Sequence, residues 1–81
     1  MPTLAIIDGI SILMWPNDHD PPHFHVRFAG RTGKFDMATG QMIKGTINRR
    51  TIKKVQSWTI ANQAMLLLAW NNLRSKMTTT N

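Results

Sequence analysis

The apolar positions of the chain change period near its middle. Up to about residue 47 they form short β-branched runs or alternate every second residue, and from about Asn48 they recur every three to four residues. Leu4–Ile7 and Ile10–Trp15 read as strands. Asp8-Gly9 between them predicts a hairpin, or one strand bulged at Gly9. Pro16–Pro22 reads as a loop, because proline blocks ladder pairing and Asn and Asp favour turns. In the next segment Phe24, Val26 and Phe28 take one face, and His23, His25 and Arg27 the other. Gly30–Gly33 predicts a turn, Lys34–Met37 the return strand closed by Thr39-Gly40, and Gln41–Ile47 a weaker strand or connection. This half therefore predicts an antiparallel sheet of three to four strands with one solvated face.

In the second half Ile52, Val55, Trp58 or Thr59, Asn62, Leu66, Ala69 and Leu73 keep helical spacing. No glycine or proline interrupts them as far as Met77, which predicts one helix of roughly seven turns. Asn48 is the expected N-cap. The helix should lie on the apolar face of the sheet and bury Trp58, Met65, Leu66 and Trp70. The fold class is α+β, with the sheet first and the helix last. Residues 1–76 form a single domain and 77–81 a flexible tail, with no repeat or linker between.

Composition narrows the function. At 81 residues the core is only marginally large, so a homodimer or a partner is a natural supplement. The six methionines suit an irregular core or interface. There is no cysteine, which excludes a disulfide framework, a thiolate metal site and a cysteine nucleophile. The first fifteen residues lack a basic secretory n-region, and the apolar run Ala64–Trp70 is too short to span a bilayer. A cytoplasmic protein with no membrane partner is the expectation.

Charge changes the picture more. Residues 1–43 hold Arg27, Arg31 and Lys34 against Asp8, Asp18, Asp20 and Asp36, a net of −1, whereas residues 44–81 carry +7 and no acid. Such a basic half points to a polyanion, most often nucleic acid, DNA or RNA. Arg49, Arg50, Lys53 and Lys54 crowd the predicted helix start, where the macrodipole disfavours cations. With Arg31 and Lys34 they form the expected phosphate-contacting set. The bland alternative is a cheap, salt-screened surface. Trp58 and Trp70 are expected in the core, and Trp15 beside Pro16 is the better candidate for stacking on a base.

The chain's three histidines fall within NDHDPPHFHV, residues 17–26. Three readings fit. His23 and His25 on one strand face, joined by His19 and Asp18 from the loop, have ligand types suited to a divalent metal, although no cofactor is required. His23 and His25 could instead move protons in phosphodiester cleavage, with Arg27 steadying the phosphorane. In the third reading Asp18 and Asp20 cap a turn, Pro21-Pro22 stiffens the strand entry, and the histidines cover a surface. Whether the chain is an enzyme stays open at this point.

The opening MPT, the segment NDHDPPHFHVRFAG, the strand GKFDMATG and a helix with two tryptophans resemble a small bacterial family, domain of unknown function 4160 (DUF4160). Its Asp-His-x-Pro-Pro-His-Phe-His-Val core is intact from Asp18 to Val26. The resemblance implies a transcriptional regulator or a member of a toxin–antitoxin-like pair, encoded beside a small DUF2442 protein. Relatives usually carry Glu and His between the helix tryptophans. Thr59–Ala69 here has no charge, which leaves a more apolar helix face for a partner.

Overall fold

The computed structural model describes residues 3–15 and 21–78, with side chains as far as Leu73. Five strands form one antiparallel sheet in chain order: β1 (Thr3–Ile7), β2 (Ile10–Leu13), β3 (His23–Phe28), β4 (Arg31–Asp36) and β5 (Met42–Gly45). Helices α1 (Arg49–Ala61) and α2 (Gln63–Thr78) follow. The α+β order is as expected, but there are five strands rather than three to four, and two helices rather than one.

Each departure has a local cause. Asp8 and Gly9 both have positive φ, +49° and +77°, so the expected hairpin closes with a tight primed turn that follows the twist of its strands. Ala29 and Gly30 do the same at +51° and +77°. The β3–β4 turn is therefore Ala29-Gly30 rather than Gly30–Gly33, and β4 starts at Arg31. An alanine rarely adopts such a backbone, which hides this turn from sequence reasoning. Gln41–Ile47 does supply a strand, β5. It can approach β4 because Gly45 has φ +134°, and a side chain there would lie 2.5 Å from the Gly33 Cα.

The helix breaks at Asn62 without glycine or proline. The Asn62 backbone N–H donates to the Thr59 carbonyl, one residue short of the α-helical partner, and its side-chain amide donates to the Trp58 carbonyl at 2.8 Å. Asparagine thus satisfies the acceptor that its own displaced backbone leaves open. Asn48 caps α1 as expected, accepting from the Thr51 N–H at 2.8 Å.

The core lies between the sheet and the helices. Ile10, Ile12, Phe24, Val26 and Phe35 meet Val55, Leu66 and Trp70, and Phe24 stacks on Phe35 with ring centroids 5.7 Å apart. Trp58 is half-buried against Phe24, but Met65 faces outward, contrary to expectation. Leu66 and Trp70 continue the inward positions of Thr51, Val55 and Thr59. Gln63 donates to the Ala38 carbonyl at 2.6 Å, fixing the start of α2 to the β4–β5 turn. The meander puts the β1–β2 and β3–β4 turns at one end of the sheet. As β5 also ends there, so does the start of α1.

Candidate nucleic-acid interface

The site builds up from strand register. His25 stands directly opposite Lys34, and Lys34 directly opposite Lys44, so one histidine and two lysines form a row across β3, β4 and β5. Val26, next to His25, is fully buried in the core, and alternation therefore puts the row on the other face of the sheet. Arg27 and Thr32 form the next pair along, nearer the turn end. A shallow depression of about 280 Å³ lies here, lined by His25, Thr32, Lys34, Lys44 and the backbone of Gly33 and Gly45.

Among the described residues, the acid on this face does not neutralise the row. Asp36 is opposite His23 in register, but its carboxylate accepts from the Ala38 N–H and the Thr39 hydroxyl at 3.2 and 3.0 Å. It closes the β4–β5 turn at the far end of the sheet. Lys34 and Lys44 face each other without an acidic partner among the described residues. Like charges placed directly opposite weaken a sheet.

The other cations lie where the chain continues. Arg31 opens β4 at the turn end, and Arg49, Arg50, Lys53 and Lys54 are exposed on the first turns of α1. Lys54 makes an exposed 3.5 Å ion pair with Asp8, worth little in water. Among the described residues no acid pairs with the other three, and the first turn of α1 contains none. The amide of Thr51 is already taken by the cap, so the helix start offers its side chains more than its N–H groups. That narrows the expected phosphate site to a charged surface.

The histidines separate. His23 is only 4% exposed, contrary to the expectation of a solvated face. Its ring packs between His25 and Trp70, at centroid distances of 5.2 and 5.3 Å. The Pro21 carbonyl lies 2.9 Å from Nδ1. A carbonyl can only accept, so Nδ1 carries the proton. The burying tryptophan comes from α2, and no local pattern around His23 could reveal it. His25 is half-buried, with Trp15 edge-on at 4.2 Å. His25 thus stands half-buried beside Arg27 and opposite Lys34, with the His23 ring against it.

The candidate metal ligands Asp18 and His19 lie outside the described residues, as does Asp20. Among the described residues no group of three His, Asp or Glu side chains could hold a metal ion. Within those residues no helix is long and apolar enough to cross a membrane.

No curated protein and no solved structure matches the chain. A family model does, over residues 9–71, and its description is domain of unknown function (DUF4160). The match takes in His23, His25, the lysine row and the helix cations. The chain belongs to the DUF4160 family.

Proposed function

We propose that the protein binds nucleic acid through a basic surface running from the His25–Lys34–Lys44 row, past Arg31, to Arg49, Arg50 and Lys53. The observation that carries this reading is the cross-strand lysine pair, which has no acidic partner among the described residues. Lys34 and Lys44 repel each other, and the cations of α1 oppose their own helix dipole. Two independent elements thus accept an electrostatic cost that a bound phosphate backbone would reverse. Within a toxin–antitoxin-like pair such a protein would act as a regulator or as the nucleic-acid-directed component. His25 would meet the ligand directly.

The test is a binding isotherm against salt. Affinity should fall steeply as salt rises, and Lys34→Gln/Lys44→Gln should both weaken binding and reduce the slope of log K against log salt by about 1.4 to 1.8. Binding indifferent to salt, or unchanged in the double variant, would remove this reading.

A second reading, a protein-binding module, is favoured by α2. Leu68 is 62% exposed, and Met65 and Leu67 are exposed beside it in a stretch without charge. Such a face suits a second copy or a small cognate protein of the DUF2442 kind. Sedimentation of the parent and of Leu68→Glu tests the self-associating form. Self-association lost in the variant supports it, and two monomers of equal mass remove it.

A further inference from the structure

The cations of this surface are divided between the two layers of the molecule. Lys34 and Lys44 project from the sheet face opposite the core. Arg49, Arg50 and Lys53 leave α1, the helix packed on the core face through Val55 and Trp58. Arg31, the first residue of β4, stands at the end of the sheet where the two layers meet. Between the lysines the surface is recessed into the depression of about 280 Å³, rather than projecting as a helix or ribbon does when it enters a groove.

A duplex fits this arrangement poorly. The molecule is about 20 Å thin in its shortest direction, and double-stranded DNA stays straight over about 150 bp. A duplex lying against one layer meets the cations of that layer, and a stiff cylinder gains fewer contacts across an edge than a strand that bends around it. A single strand bends freely, and its phosphates can follow cations around an edge. Trp15, edge-on to His25, puts an indole beside the point where such a strand would start.

Resting on the nucleic-acid reading above, we infer that the ligand is single-stranded, wrapped around the turn end of the sheet. Its phosphates run from Lys34 and Lys44, past Arg31, to Arg49 and Arg50. Duplex binding is limited to one layer and is correspondingly weak.

Fluorescence anisotropy with the full chain tests this, using labelled oligouridylate and oligothymidylate of about twelve nucleotides and a duplex of the same length. At equal salt the better single strand should bind about tenfold tighter than the duplex, although the duplex carries more charge. Lys34→Gln/Lys44→Gln and Arg49→Gln/Arg50→Gln should each lower the salt slope for the single strand by about 1.4. The ratio of the two single strands then distinguishes RNA from DNA. Both variants change exposed or half-exposed side chains, and an unchanged circular dichroism spectrum separates lost contacts from lost fold. A duplex that binds as tightly as the better single strand overturns the inference while leaving the nucleic-acid reading in place. So does a single strand sensitive to only one of the two variant pairs. If no oligonucleotide binds at low salt, both fail.

Discussion

His23 and His25 are two residues apart on one strand, yet their surroundings give them different tasks. His23 is enclosed by Trp70, His25 and the Pro21 carbonyl. Replacing it with alanine removes a part-buried hydrogen bond and leaves a cavity, which should lower unfolding free energy by about 2–3 kcal/mol in a urea titration. His25→Ala, at a half-exposed site, should cost less than about 1 kcal/mol and act mainly on ligand affinity. Equal losses of stability in the two variants would contradict this division. Ala29 offers a test of opposite sign. At φ +51° it holds a strained backbone, so Ala29→Gly should stabilise the protein by about 0.5–1 kcal/mol, read as a higher urea midpoint. Alternation put both histidines on one face correctly, but it carries no information about which of them a distant tryptophan covers.

At the scale of elements, the start of α1 links stability to binding. Arg49→Glu/Arg50→Glu replaces two cations with acids in the first turn, where the dipole favours negative charge. The double variant should be more stable than the parent by about 0.5–1.5 kcal/mol and should bind nucleic acid much more weakly. A variant that loses stability and binding together would instead assign those arginines to the fold. The strand that completes the basic row depends on Gly45. Gly45→Ala forces a Cβ against the backbone of β4, and it should destabilise the protein by more than about 2 kcal/mol while disrupting the Lys34–Lys44 pair.

Elements were legible where local chemistry alone decides them. Asp8-Gly9 shows a turn, Asn48 shows a cap, and the alternation in 23–28 shows a strand. The breaks at Ala29 and Asn62 were not legible. Alanine is a poor marker of positive φ, and the interruption at Asn62 depends on a side-chain bond back to Trp58. A helical period carries straight through such a position. The lysine row lay deeper still, because Lys34 and Lys44 become neighbours only through the register that Gly45 permits.

Across the whole molecule, charge and apolarity are segregated. Cations gather at the turn end and on the sheet face opposite the core, while Met65, Leu67 and Leu68 make an exposed apolar stretch near the start of α2. The sequence already grouped Lys34 with Arg31 and the helix cations, but it did not reveal that folding sets Lys44 directly opposite Lys34. The most direct test of the basic surface is a titration of isotopically labelled protein with a short single-stranded oligonucleotide, followed by NMR chemical shifts. The predicted result is movement of the backbone amides of His25, Thr32, Lys34 and Lys44, together with Arg49 and Arg50, while Leu67 and Leu68 stay in place. Shifts confined to the outer side of α2, or no shifts at low salt, would contradict it.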